Sequence, residues 1–236
     1  MPVTSPMAHT GATTKPLPTI TVQPGREMTP ETLQSLPSLA GMNAMFVVDV
    51  LSDMAMHERC GFHLYRSLAG RTNNPVLQRK YVEFGEETHE HIAVLEQLLT
   101  ELGADPQYVS PSARATEKMD TSILESTFLL EGSVDIMTQE LVMLDAVLLA
   151  ETRDHANWSG LRDLVPMFPE GPARDAVQRA VDQVEDQEDE HLEWAKRTRK
   201  KLIAMQAKST VMTTVAATAE DLMARVKGLF DGSPAA

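Results

Sequence analysis

The chain has 236 residues, a single cysteine and a formal net charge of −13, with 21 Lys and Arg against 34 Asp and Glu. Such a surface repels nucleic acid and anionic membranes, which argues against both as principal partners and leaves bound cations open. Cys60 alone supports neither an internal disulfide framework nor a CxxC metal ribbon.

Residues 1–37 are dense in Pro, Thr and Ser and have no sustained apolar period, so they read as a flexible, disordered N-terminal arm. The arm has neither the apolar core of a secretory signal nor the Arg-rich amphipathic pattern of a transit peptide. No run approaches the roughly 18–20 apolar residues that span a bilayer, and the expected location is cytoplasmic.

From about residue 38 the periodicity is helical, and it predicts an all-α bundle over 38–207. The first helix runs from about Ser38 to Ala69, with Val47, Leu51, Met54, Phe62, Tyr65 and Leu68 on a three-to-four spacing. Asn74 as cap and Pro75 as first helical residue start the second, which ends near Leu102 before "GADP". A loop of about fifteen residues follows, with room for a short helix around Ile123–Leu130. The third helix extends from about Ser133 to Leu164, and the fourth from Pro172 to about Ala207. Short turns within each pair and a longer connection between the pairs predict two helix hairpins joined by a crossover. Residues 208–236 form a C-terminal tail whose Leu222, Met223, Val226, Leu229 and Phe230 share one helical face, expected to dock on the bundle or to make a homo-oligomer or larger assembly.

The two hairpins look related. The first and third helices align at a constant offset of 93, pairing Leu51 with Leu144, Glu58 with Glu151, Tyr65 with Trp158 and Leu68 with Leu161. The second and fourth align at 102, pairing Val82 with Val184, Glu83 with Glu185, Glu86 with Glu188 and His89 with His191.

The apolar stripe of every helix is interrupted by acid. On the fourth, Val177, Val181 and Val184 lead to Glu188 and His191 before Ala195; on the second, Val82 leads through Glu86 and His89 to Ile92 and Leu95. On the first, Val47, Leu51 and Met54 lead to Glu58, and on the third Leu141, Leu144 and Leu148 lead to Glu151. An unpaired buried polar group costs roughly 2–7 kcal/mol and a charge more, so four inward carboxylates require cations. Lys196, Arg197, Arg199, Lys200 and Lys201 stand toward the end of the fourth helix, where they suit its dipole. A pair of metal ions fits better, because Glu and His three residues apart share one helical face.

On this reading Glu87, Glu90, His91 and Glu190 face water, His91 because the residue three before it is Thr88. Glu83 and Glu185 either line an ion path or flank the core. His155 is a hydrogen-bonded core histidine or an added ligand. Tyr65 and Trp158 pack the core and are the aromatics nearest to any one-electron chemistry.

The order Glu58, Glu86-x-x-His89, Glu151, Glu188-x-x-His191 resembles the ferritin-like superfamily of di-iron carboxylate proteins over about residues 38–205. The resemblance implies a ferritin-like four-helix bundle in which these six residues are both metal ligands and catalytic residues, with Glu86 and Glu188 bridging and His89 and His191 terminal. It implies two iron ions per chain, in a ligand set that also accepts manganese or zinc. The expected activity is iron oxidation, or reduction of dioxygen or peroxide. The competing expectations are a non-catalytic iron or manganese binding or storage protein acting through its tails, and a metal-free helical interaction module.

Overall fold

The computed structural model describes residues 26–208 except Glu131 and Ser133; of the arm expected to be disordered over 1–37, residues 26–37 are described and hold a short helix whose Leu33 joins the core, and residues 1–25 and 209–236 lie outside the described residues. Among the described residues every regular element is helical, and no helix is long and apolar enough to cross a membrane. The elements are α1 (Pro30–Gln34), α2 (Ala44–Arg71), α3 (Pro75–Glu101), α4 (Pro111–Ser126), α5 (Ile136–Leu164) and α6 (Pro172–Lys208).

Each long helix begins where the sequence can satisfy its first free N–H groups. The Asn43 side chain accepts from Phe46 N, Asn74 from Val76 N and Leu77 N, and Asp135 from Thr138 N. Pro75 and Pro172 stand at first helical positions, where a missing N–H loses nothing.

Helices α2 and α3 form one hairpin and α5 and α6 the other, with α2 meeting α5 and α3 meeting α6 across the interface. The apolar core is in two halves. One joins the start of α2 (Val48, Leu51), the end of α3 (Leu95, Leu99), the end of α5 (Trp158, Leu161) and the start of α6 (Val177, Val181). The other joins the end of α2 (Tyr65, Leu68), the start of α3 (Leu77, Tyr81, Phe84), the start of α5 (Leu144, Val147) and the end of α6 (Trp194, Ala195). The four helices therefore run up, down, down and up, and the chain must travel the bundle's length between α3 and α5.

Helix α4 makes that passage, in place of the loop with a short helix that the sequence predicts. Ser110 caps it by accepting from Ala113 N, and Pro111 follows. Its inward face is polar: Asp120 meets His57 at 2.7 Å, Thr116 bonds Asp53 and Ser112 bonds Asp49, all on α2. Its apolar contribution is small, with Ala113 wholly buried and Ile123 and Leu124 packed against the second half-core.

The turn between α2 and α3 is held from α5. Buried Glu140 accepts from Thr72 Oγ1 at 2.7 and 2.8 Å and from Asn73 N at 2.7 Å, which fixes the backbone immediately before the Asn74 cap. Glu140→Ala should destabilise the protein by about 1–3 kcal/mol, because it removes the charged acceptor of three hydrogen bonds that hold this partly buried turn. Urea unfolding measures this, and a midpoint equal to the wild type would show that the turn does not depend on Glu140.

Candidate metal centre

A polar layer separates the two apolar half-cores. Helix α2 contributes Glu58, α3 His91, α5 Glu151 and Asp154, and α6 Glu188 and His191, each almost wholly buried. Two groups of ligand-type atoms result, Glu58–His91–Glu188 and Glu151–Glu188–His191, each within 4.8 Å of one another. Glu188 belongs to both.

Four of the residues expected from sequence are thus brought together: Glu58, Glu151, Glu188 and His191. Glu86 and His89 are not; both are exposed on the opposite face of α3. The buried stripe of α3 is Tyr81, Phe84, Thr88, His91 and Leu95, and Val82, which anchored the predicted stripe, is 47% exposed. A slip of two residues rotates a helical position by about 200°, enough to exchange inside for outside. The surface assignment of His91 is corrected with it, since Thr88 occupies the place of the Glu and His91 still turns inward. The Thr88 hydroxyl donates to Phe84 O at 2.7 Å within its own helix, so no carboxylate enters the layer from that position.

Asp154 was missed because it lies three residues after Glu151 in a sequence read for a lone Glu. The signal was present: Ala150, Glu151, Asp154 and Trp158 share one helical face. Gly85 is also part of the construction. A Cβ there would lie 3.2 Å from Tyr65 Cβ, so glycine lets α3 approach α2 at the level of the site.

Both imidazoles are oriented from behind. His91 Nε2 donates to Gln187 Oε1 at 2.9 Å, and His191 Nε2 donates to Glu87 Oε2 at 2.8 Å, turning each Nδ1 into the layer. His91 Nδ1 then stands 2.8 Å from Glu188 Oε1 and 3.7 Å from Glu58 Oε1. His191 Nδ1 stands 3.4 Å from Glu151 Oε2 and 3.7 Å from Glu188 Oε1. The aromatics hold the single glutamates across the hairpins: Trp158 Nε1–H donates to Glu58 Oε1 at 2.8 Å, and Tyr65 O–H to Glu151 Oε1 at 2.6 Å.

These contacts reset the internal repeat. The offset of 93 holds for α2 and α5, where Glu58 and Glu151 are equivalent and Tyr65 answers Trp158. For α3 and α6 the structure gives an offset of 100, not 102: His91 answers His191, Glu87 answers Gln187, and Thr88 answers Glu188.

The ionic partners of these carboxylates are histidines, not Lys or Arg. Burial disfavours the His91 imidazolium, but Glu188 and Glu58 outweigh it and raise its pKa to about 11. Burial likewise opposes His191, and Glu151, Glu188 and Glu87 raise it to about 9. Burial pushes Glu188 up to about 7 against the pull of His91. Asp154 is driven well above the carboxylate range by burial and by Glu188, Glu58 and Glu151. In each case the layer holds protons because it lacks positive charge.

The donor set suits a metal. Glu58 Oε2, His91 Nδ1, Glu151 Oε2, Asp154 Oδ1, both oxygens of Glu188 and His191 Nδ1 are buried and have no hydrogen-bond partner. A neutral His91 whose Nε2–H serves Gln187 aims a lone pair at a carboxylate oxygen 2.8 Å away, an arrangement that needs a proton or a cation. Ligand atoms bound to one ion at about 2.0–2.2 Å stand roughly 2.9–3.6 Å apart, close to the separations here.

Among the described residues the other histidines lie outside the layer. His155 pairs with Asp189 at 2.9 Å near the surface, and His57 is buried against Asp120. Glu83 pairs with Lys80, and Glu185 with Arg162.

Every shifted group in the layer has a folded pKa above its unfolded value. Each stabilises the metal-free protein at low pH and loses that contribution as pH rises, Glu188 through about 7, His191 through about 9 and His91 through about 11. A divalent cation held by these atoms would displace the same protons, so its affinity would rise over the same window. The melting temperature in a chelator should fall between pH 6 and 9, and the increment from added divalent metal should widen. Scanning fluorimetry with and without metal tests this, and parallel profiles would sink it.

No protein-family model, no curated protein and no solved structure matches the chain.

Proposed function

We propose that this chain is a ferritin-like dinuclear metal protein that oxidises ferrous iron or reduces dioxygen or peroxide. One observation carries the reading: seven buried donor atoms of six residues on four helices converge without hydrogen-bond partners. Glu58, His91 and Glu188 would hold one ion and Glu151, Glu188 and His191 the other, with Asp154 alongside. The order of the helices and the long crossover agree with the resemblance drawn from sequence.

Bound iron would supply one-electron chemistry toward dioxygen or peroxide. The chain supplies the rest. Glu188 is common to both positions and couples them. Trp158 and Tyr65 hold one oxygen of Glu58 and of Glu151, leaving the other free for an ion. Gln187 and Glu87 hold the imidazoles as neutral Nδ1 donors. The apolar half-cores on either side keep bulk water from the donor atoms. Mn or Zn would satisfy the same donors.

The burial of every donor residue also favours a second reading, in which the ions are retained and no turnover occurs. Sustained peroxide consumption with a reductant would exclude it, whereas a single round of iron oxidation followed by arrest would support it.

Anaerobic titration of Fe(II) should give about two ions per chain. His91→Ala and Glu188→Ala should each remove at least one, whereas Glu86→Ala and His89→Ala should leave the stoichiometry unchanged. Absence of iron binding by metal-stripped wild-type protein would sink the proposal, and loss of binding in the Glu86 or His89 variants would overturn the assignment of α3.

A further inference from the structure

The two metal positions are related by the internal repeat, so any difference between them must come from places where the repeat is broken. The Glu on one α-helix answers the Glu on the other, Trp158 answers Tyr65, and His91 answers His191. Tyr65 and Trp158 differ in kind but are each a neutral donor to one glutamate oxygen; the break that differs in charge is behind the histidines. His191 Nε2 meets a carboxylate, Glu87, whereas His91 Nε2 meets an amide, Gln187.

That difference has a sign. A carboxylate accepting from the outer nitrogen makes the imidazole a stronger donor at its inner nitrogen and adds a negative charge near the ion; an amide gives the orientation without the charge. Asp154 also has no counterpart, Gly61 standing at the equivalent place on α2, but it lies beside Glu188, Glu58 and Glu151 together and so borders both positions. Thr88 likewise removes a carboxylate from the layer as a whole. Glu87 is the carboxylate that stands behind one position alone, and it is 29% exposed while His191 is 1% exposed, so its charge acts on the ion partly screened.

Resting on the dinuclear reading, the geometry points to a retained ion at the Glu151–Glu188–His191 position and an exchangeable ion at the Glu58–Glu188–His91 position, with Glu87 and Gln187 setting the order. The exchangeable position is then where a cation taken as substrate enters and leaves, and the retained ion serves as the resident partner beside it. Glu87 and Gln187 act through the histidines and are positioning residues.

The test is calorimetric titration of the metal-stripped full chain with Fe(II) under anaerobic conditions. Wild type should bind in two steps of different affinity. Glu87→Gln keeps the hydrogen bond and removes the charge, and should weaken the tighter step by about tenfold or more while leaving the weaker step in place. Gln187→Glu should instead strengthen the weaker step, which gives an independent reading if either variant folds poorly by circular dichroism. Two indistinguishable steps in wild type, or variants that shift both steps alike, would overturn the inference and leave the dinuclear reading standing. No iron bound by wild type would remove both.

Discussion

The bundle is organised around a charge problem: four carboxyl groups and two imidazoles occupy one layer inside an otherwise apolar interior. Apolar residues of the same volume would make a simpler core, since a buried ionic network seldom outperforms well-packed hydrophobic side chains. The layer holds together only if protons or cations make up the missing positive charge. The raised pKa of His91, His191 and Glu188 is that demand met with protons. The same atoms are directed at one another without hydrogen bonds, which protons alone relieve incompletely.

The packing distributes responsibility for the layer between the hairpins. Trp158, on the second hairpin, fixes Glu58 on the first; Tyr65, on the first, fixes Glu151 on the second. The histidines are exchanged similarly, His91 of α3 leaning on Gln187 of α6 and His191 of α6 on Glu87 of α3. Neither hairpin can therefore orient its own donors alone. Stacking supports this arrangement, with the His91 and His191 rings 5.9 Å apart and Phe84 against His191 at 4.0 Å. Preorganisation here is a property of the interface between the two halves.

The sequence was most legible where periodicity was strong and caps were clear. The cap Asn74, the break near "GADP", and the inward turn of Glu58, Glu151, Glu188 and His191 could all be read from spacing, whereas the third long helix starts at Ile136 behind Asp135 and not near Ser133. Helix α3 misled because "EFGEETHEH" offers Glu-x-x-His in a register that Val82, an exposed residue, also fits by spacing. The aromatic anchors Tyr81 and Phe84, both fully buried, defined the true face. A motif match outweighed the larger side chains, although burial of an aromatic ring contributes far more than burial of a valine. Helix α4 was hidden for a different reason: its buried face is small and mixed, Ala113 beside Thr116 and Asp120, in place of the run of large apolar residues that marks the four long helices.

Those polar contacts bind the crossover to the layer. Asp120 of α4 pairs with His57 Nδ1 at 2.7 Å, and His57 Nε2 donates to Ala150 O at 3.1 Å. With both ring nitrogens facing acceptors, His57 is satisfied as an imidazolium, and Asp120 and Glu58 raise its pKa against the opposing effect of burial. His57 immediately precedes Glu58, and Ala150 immediately precedes Glu151. One buried side chain thus ties α4 to α2 and α5 at the two residues next to the single glutamates of the layer. Arg153 adds a second tie, reaching Asp53 at 3.1 Å and lying 3.5 Å from Asp120. A crossover that merely joined two hairpins would need no such anchorage. Here it fixes the separation of α2 and α5 at the height where Glu58 and Glu151 must face the same donors from opposite sides.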